Sequence, residues 1–139
     1  LRSLKMLGVR LRQQEANAKR ICEALKANPH VTDVFYVGDP DHPDYALSKR
    51  QTAGFGAMIS FKTDTHQRAL DTLERTRLIL FAESLGGTES LVTYPLVQTH
   101  GAIPQPMLDK LGIDDRLLRL SVGIEDVEDL LADLDQALA

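Results

Sequence analysis

The spacing of apolar residues predicts a long helix at the start of the chain. Apolar side chains recur every three or four positions, with charged and amide side chains between them; they are Leu4, Leu7, Leu11, Ala18, Ile21 and Leu25. This repeat is typical of an amphipathic α-helix, which we expect to run from near Leu1 to Ala27. Asn28-Pro29 should end the helix, because proline cannot continue it.

Shorter apolar and β-branched runs predict the remaining elements. The predicted strands are residues 31–37, 57–62, 78–82, 91–94 and 117–122, of which 78–82 is fully apolar and is expected to be buried. The predicted helices are a short turn over Tyr45–Gln51, residues 65–75 with Thr63 or Asp64 as the cap, residues 104–111 ended by Gly112, and a closing helix containing Val127, Leu130, Leu131, Leu134 and Leu138.

The order of these elements predicts the fold class. Strands and helices are mixed without the regular strand–helix alternation of a parallel sheet. We therefore expect an α+β fold, with a mostly antiparallel sheet covered by helices on one face. The length of 139 residues suits one domain.

Composition narrows the function classes. The net charge is −4, and acidic and basic residues are interspersed, so no nucleic-acid partner is expected. The sequence has no long apolar run, so no membrane span is expected. No signal peptide is recognisable either. Cys22 is the single cysteine, which excludes an internal disulfide and favours a reducing, cytoplasmic compartment. The chain opens in helical rhythm without a methionine, and we expect it to be a fragment of a longer protein.

Arg119 interrupts an otherwise apolar predicted strand. Because side chains alternate between the two faces of a strand, Arg119 should share a face with Leu117 and Ser121, opposite the leucines on either side of it. Its planar guanidinium suits a two-point contact with a carboxylate. From the pattern alone, a carboxylate-binding arginine and a solvent-facing arginine on an open sheet are about equally supported.

A glycine-containing segment, residues 83–90 (ESLGGTES), follows the predicted strand 78–82. Gly86 and Gly87 permit positive φ and close approach of the backbone to a ligand. Ser84 offers a hydroxyl and an amide to an anion. Spacing alone favours an ordinary Gly-Gly turn over a binding loop.

For the acidic cluster and three of the histidines, the sequence pattern favours structural roles. The acidic cluster Glu125, Asp126, Glu128 and Asp129 is placed in the first turn of the last helix, where negative charge complements the helix dipole. No metal is expected there, because one helical turn rarely supplies convergent oxygens. His30, His42 and His66 lack partners at zinc-ligand spacing.

Two further residues have reactive side chains. His100 is a candidate acid–base group, although histidines near turns are more often structural. Cys22 lies near the apolar stripe of the first helix, so a packed thiol is favoured over a nucleophile.

Two functions remain open from the residues alone: an enzyme part that contributes a carboxylate-binding arginine, or a free-standing regulatory α+β domain that binds a small molecule without catalysis.

Two motifs resemble one enzyme family. Residues 81–91 (FAESLGGTESL) and 118–126 (LRLSVGIED) are similar to segments of the cystathionine γ-synthase, γ-lyase and β-lyase family, the pyridoxal-phosphate (PLP) enzymes of cysteine and methionine metabolism. Further matches are Thr99-His100, Ile103-Pro104, His42-Pro43 and residues 46–51 (ALSKRQ). The resemblance covers essentially the whole chain.

The resemblance implies that residues 1–139 are the small C-terminal domain of a fold-type I PLP enzyme related to aspartate aminotransferase. In this family a large domain carries the lysine that forms a Schiff base with PLP, in a Ser-x-Thr-Lys context. None of the lysines of this chain has that context. The resemblance therefore implies that this chain contains no catalytic or cofactor-binding residue, that it is inactive alone, and that PLP is bound by its own large domain.

The resemblance also implies roles for three residues. Arg119 corresponds to the arginine that holds the substrate α-carboxylate, and Ser84 to its helper. Glu83 lies near the distal end of the substrate, at a position that differs among subfamilies. The implied parent is a cytoplasmic homotetramer that catalyses elimination or replacement at Cβ or Cγ of cystathionine or a related sulfur amino acid. Gln98 and Gly101 depart from the commoner methionine and alanine.

Overall fold

A computed structural model describes residues 3–98, 100 and 102–139 and contains a five-stranded sheet with three of its helices packed on one face. The strands are β1 (Val31–Phe35), β2 (Met58–Thr63), β3 (Leu80–Phe81), β4 (Leu91–Thr93) and β5 (Leu117–Ser121). The helices are α1 (Leu7–Ala27), α2 (Tyr45–Gln51), α3 (His66–Arg75), α4 (Pro95–Gln98), α5 (Gln105–Leu111) and α6 (Val127–Leu138), with a 3₁₀ helix over Ser3–Met6 before α1. The predicted α+β class is confirmed.

Strand β5 lies at the centre of the sheet. The strand order is β1-β2-β5-β4-β3, and neighbours are antiparallel except for the parallel pair β3 and β4. Arg119 on β5 therefore lies between Ser60 on β2 and Thr93 on β4. A paired strand therefore lies on each side of Arg119, which fixes where its side chain begins.

Helices α1, α3 and α6 cover one face of the sheet. Leu118 and Leu120 point towards these helices and are fully buried, as are Ile59 and Phe61 on β2. Burial of each such side chain contributes about 1.5–3 kcal/mol. The helices contribute the following buried residues to the same core: Ala18, Ile21, Leu25, Ala69, Leu73, Leu130, Leu134 and Leu138. The opposite face of the sheet is left to the residues that alternate with these leucines, among them Arg119.

The first helix differs from its prediction in both start and burial. The α-helix begins at Leu7, after the 3₁₀ turn, and its buried stripe covers only the second half. Leu4, Leu7 and Leu11 are exposed, although their spacing predicts a continuous apolar stripe. The second half of α1 lies on the sheet, where Ala18, Ile21 and Leu25 join the core.

The predicted buried strand 78–82 is wrong in both length and burial. Only Leu80 and Phe81 form β3, and they are 53% and 51% exposed, whereas Ile79 beside them is buried. The strand lies at the edge of the sheet, and its pairing partner among the described residues is β4. An apolar run cannot by itself distinguish an edge strand from a central one, which explains the error.

Several helix ends differ from the predictions in detail. The cap of α3 is Thr65 rather than Thr63 or Asp64, and its Oγ1 accepts the N–H of Arg68 at 3.2 Å. Helix α5 ends at Gly112 as predicted, in a left-handed conformation with φ of 70°. The four-residue helix α4 was not predicted.

The acidic cluster is divided between two locations. Asp126 caps α6 and accepts the N–H of Glu128 at 2.9 Å, and Glu128 and Asp129 lie in the first turn of α6. Glu125 precedes the cap and binds Ser90, so its predicted place in the first turn is wrong.

Across the described residues, no helix combines the length and the apolar character needed to cross a membrane.

Candidate functional site

The guanidinium of Arg119 has no carboxylate partner among the described residues. The side chain lies on the sheet face opposite α1, α3 and α6, as the alternation along β5 predicts, and is partly buried. Its Nε is buried and has no hydrogen-bond partner among the described residues. None of the ion pairs in the described part of the chain involves Arg119. Because an unpaired buried donor is unfavourable, the arrangement suits an anion supplied from outside this chain.

A pocket of about 340 Å³ opens beside this guanidinium. It will be called the Arg119 pocket, and it is lined by Phe35, Ser60, Lys62, Pro95, His100, Leu111, Gly112, Ile113, Leu117 and Arg119. Most of these side chains are apolar, which makes an electrostatic contact inside the pocket stronger than one in open water. A pocket with apolar walls and a few polar groups is the usual form of a small-molecule site.

The second cation of the Arg119 pocket is already paired. Lys62 Nζ lies 2.7 Å from Asp114 Oδ2, and the Lys62 side chain is only 15% exposed. Partial burial raises the pKa of the Asp114 carboxyl, but the hydrogen bond from Lys62 and the backbone N–H of Arg116 outweigh it and hold the pKa below its usual range. Asp114 therefore stays ionised near neutral pH and neutralises Lys62, which leaves Arg119 as the cation in the pocket lining that has no paired carboxylate among the described residues.

The glycine-containing segment is attached to the same sheet face on both sides of Arg119. The carbonyl of Ala82 accepts a hydrogen bond from the Thr93 hydroxyl at 2.9 Å, and the N–H of Gly86 donates to Ser121 Oγ at 2.9 Å. Thr93 lies opposite Arg119, and Ser121 lies two residues after it. Gly86 has a φ of 74°, a left-handed conformation that glycine adopts without strain. We call residues 82–86 the 82–86 segment.

Glu83 and Ser84 lie between these two attachments. Both residues are exposed, and neither contributes to the lining of the Arg119 pocket. The structure thus brings the segment that carries them to the Arg119 face of the sheet. Their predicted contacts with substrate stay predictions.

Helix α1 contacts Gly87 and the turn after β5 through two buried amides that were not predicted. Gln14 Nε2 donates to the carbonyls of Gly87 at 2.6 Å and Val122 at 3.1 Å. Asn17 Nδ2 donates to the carbonyls of Gly123 at 3.1 Å and Glu125 at 2.9 Å. Both amides occupy positions on the stripe where helical spacing calls for an apolar residue. Polar residues within an apolar stripe are the sequence signal from which these buried contacts could have been predicted.

The remaining candidates have varied outcomes. His100 lines the Arg119 pocket, and its backbone N–H donates to Pro95 at 2.9 Å. Thr99 and Gly101, two positions of the motif around it, lie outside the described residues.

Cys22 is buried, so the prediction of a packed thiol is confirmed. Burial, followed by the charge of Asp39, raises the pKa of its thiol to about 11. Within the described ranges, no cluster of three or more His, Cys, Asp or Glu side chains has metal-binding geometry.

The family relationship follows from comparison with known proteins. The sequence model of the Cys/Met metabolism PLP-dependent enzymes matches residues 1–139. The chain therefore belongs to this family, and the predicted resemblance is confirmed at that level.

Individual relatives have several related activities. The chain is 48% identical over 139 residues to a cystathionine gamma-lyase from Dictyostelium discoideum and 42% identical over 137 residues to a cystathionine beta-lyase from Lactococcus lactis, with 99% of the chain covered in each case. It is also similar to the crystal structure of cystathionine gamma synthase from Xanthomonas oryzae pv. oryzae in complex with cystathionine, with a TM-score of 0.95, 43% identity and 99% of the chain covered. The chain spans 36% of the length of each of these relatives.

The family is PLP-dependent, and PLP is attached to its enzymes through a lysine. Lys62 is the lysine that lines the Arg119 pocket, and its ion pair with Asp114 does not suit attachment of PLP. The guanidinium of Arg119, which has no ion-pair partner among the described residues, instead suits an anionic group.

Proposed function

We propose that this chain is the small C-terminal domain of a PLP-dependent trans-sulfuration enzyme and that Arg119 binds the α-carboxylate of its substrate. The observation that carries the proposal is the buried, unpartnered Nε of Arg119 beside an apolar pocket. Family membership supports the amino-acid substrate, because the similar proteins are cystathionine lyases and a cystathionine synthase. The chain's share of its relatives' length, 36%, supports a second, larger domain.

Arg119 orients the substrate as well as binding it. A guanidinium offers two parallel N–H groups to a carboxylate, which fixes the plane of the carboxylate and hence the direction of the bonds at Cα. Ser84 adds a hydroxyl from the 82–86 segment to the same carboxylate. Glu83 faces the other end of the substrate and favours a distal ammonium group. The apolar walls of the Arg119 pocket keep water away from this contact and strengthen it.

The large domain supplies the remaining chemistry. When bound there, PLP provides an electron sink for negative charge at Cα of the amino acid. Elimination or replacement at Cβ or Cγ of cystathionine or a related sulfur amino acid is the activity we assign to the complete enzyme. We further propose that the complete enzyme is a homotetramer.

The test is substitution of Arg119 in the complete enzyme. Truncating one partner of a desolvated ion pair costs about 2–5 kcal/mol, so Arg119→Ala should lower kcat/KM by about 30- to several-thousand-fold. Arg119→Lys should recover only part of this loss, because an ammonium lacks the planar fork. The variant should retain its bound cofactor and melt within a few degrees of the wild type.

Arg116→Ala is the matched control. Arg116 lies directly before β5 and contacts Asp114 at 3.6 Å, with its side chain 37% exposed. Its loss should change kcat/KM little, because exposed ion pairs contribute about 0–1 kcal/mol. Near-normal kcat/KM in Arg119→Ala, or loss of the cofactor or of the fold, contradicts the assignment.

A further inference from the structure

The hydroxyl of Thr93 joins two parts of the site. Thr93 is fully buried on β4, directly opposite Arg119 on β5. Its Oγ1 donates to the carbonyl of Ala82 at 2.9 Å and accepts from Arg119 Nη2 at 3.5 Å. Among the described residues, Thr93 is the side chain within hydrogen-bonding distance of the Arg119 guanidinium.

These two contacts reinforce one another. A threonine hydroxyl has one proton to donate and lone pairs to accept. Because the carbonyl of Ala82 takes the proton, the lone pairs are left to face Arg119, which is the orientation that a cation requires. The contact with Arg119 is long for a hydrogen bond, so it orients the guanidinium without competing strongly with an incoming carboxylate.

The same hydroxyl sets the start of the 82–86 segment. The N–H of Ala82 pairs with the carbonyl of Val92 at 3.1 Å, so Ala82 is held to β4 through both its N–H and its carbonyl. Glu83 and Ser84 follow at once, outside the sheet. Thr93 therefore fixes the point from which these two residues leave the strand, relative to Arg119.

We propose that Thr93 is a positioning residue that holds the guanidinium of Arg119 and the 82–86 segment in the arrangement that receives the substrate carboxylate. This inference rests on the function proposed above for Arg119. A purely structural threonine would affect stability but not the preference of the site for a carboxylate. The two roles therefore predict different measurements.

The experiment compares Thr93→Val, Thr93→Ser and Arg119→Ala in the complete, cofactor-loaded enzyme. Glycine and glycinamide are the probes, because they differ only at the carboxylate and carry no group that can be eliminated. Their dissociation constants are measured by calorimetric titration. Valine keeps the shape of threonine without the hydroxyl, and serine keeps the hydroxyl. Hydrogen exchange of the 82–86 segment without ligand gives a second readout.

We expect Thr93→Val to reduce the preference for glycine over glycinamide by about five-fold, the effect of one ordinary hydrogen bond. Exchange in the 82–86 segment should rise in the same variant. Thr93→Ser should stay close to the wild type in both measurements. Arg119→Ala should abolish the preference.

Other results overturn the inference. If Thr93→Val keeps the wild-type preference while Arg119→Ala loses it, Thr93 is only structural and the proposed function of Arg119 stands. If Thr93→Ser is as impaired as Thr93→Val, the hydroxyl is not responsible. If Arg119→Ala also keeps the preference, the proposed function fails together with this inference. Should Thr93→Val not fold, Thr93→Ala compared with Thr93→Ser gives the same test.

Discussion

Glu125 and Ser90 are joined by a two-point contact. The two carboxylate oxygens of Glu125 accept the backbone N–H of Ser90 at 2.6 Å and its hydroxyl at 2.8 Å. The Ser90 hydroxyl in turn accepts the N–H of Gly123 at 2.8 Å. This contact ties the turn before β4 to the turn before α6, and so holds the end of the glycine-containing loop against β5.

Loss of the Glu125 carboxylate should destabilise the fold. Hydrogen bonds to a charged group contribute about 1.5–3 kcal/mol each, and Ser90 is almost fully buried, so its donors would be left unpaired. Glu125→Ala should lower the free energy of unfolding by about 3 kcal/mol, measured by urea denaturation. The control Glu128→Ala removes a side chain that is 69% exposed and paired with Arg20, and should cost less than about 1 kcal/mol. Equal losses in the two variants would refute this role of Glu125.

Asp133 should make stability depend on pH. Burial raises the pKa of its carboxyl, but the backbone N–H groups of Ile79, Arg77 and Leu78, at 2.8–2.9 Å, outweigh burial and hold the pKa below its usual range. A carboxyl whose folded pKa is depressed stabilises the fold above its unfolded pKa of about 3.9. That stability is lost as the pH falls through the lower, folded pKa.

The corresponding variant is Asp133→Asn. It should lower the free energy of unfolding at neutral pH by about 1–3 kcal/mol and should lose less stability than the wild type on acidification below about pH 4. Urea denaturation across this range measures both effects. Asp135→Asn, an exposed neighbour on α6, should keep the wild-type pH profile. An unchanged profile in Asp133→Asn would show that another group governs the acid response.

Glu83 should influence substrate choice more than basic activity. It is exposed and lies between the two attachments of the 82–86 segment, so its carboxylate is available to a distal ammonium. In the complete enzyme, Glu83→Ala should lower kcat/KM for cystathionine relative to methionine by up to about five-fold, the scale of an exposed ion pair. Glu89→Ala in the same loop is the control. If all substrates lose activity by one common factor, the assignment is wrong.

The chain alone should not bind PLP as a Schiff base at one site. No lysine here lies in the Ser-x-Thr-Lys context of the family, and Lys62 is committed to Asp114. Incubation with PLP, reduction with borohydride and mass spectrometry should give only scattered partial labelling of surface lysines. A stoichiometric adduct at a single lysine, accompanied by turnover of cystathionine, would contradict the domain assignment.

Local patterns predicted the sheet face of Arg119, because the alternation along a strand is independent of what the strand pairs with. Burial of the apolar run 78–82 was mispredicted, because exposure of Leu80 and Phe81 depends on their place at the edge of the sheet. The importance of Glu125 was also hidden, since its partner lies 35 positions away. Distant pairings of this kind leave no periodic trace in the sequence.

The roles of Ser84 and Glu83 had a different source. Spacing alone offered Ser84 as an anion contact but favoured an ordinary turn, and the proposed roles of both residues come from the family resemblance. The structure adds that their segment is fastened to the Arg119 face, a contact made by Thr93 and Ser121. Neither hydroxyl is distinguishable in the sequence from the many others that make no such contact.

The two attachments at Ala82 and Gly86 set a rule for change in this loop. Inserting or deleting a residue between them would force one attachment to break, or would require the strand positions of Thr93 and Ser121 to shift. Exchanging the side chains of residues 83–85, which are all exposed, leaves both attachments intact. The loop is therefore fixed in length, whereas the stability of the domain should tolerate many different side chains at residues 83–85.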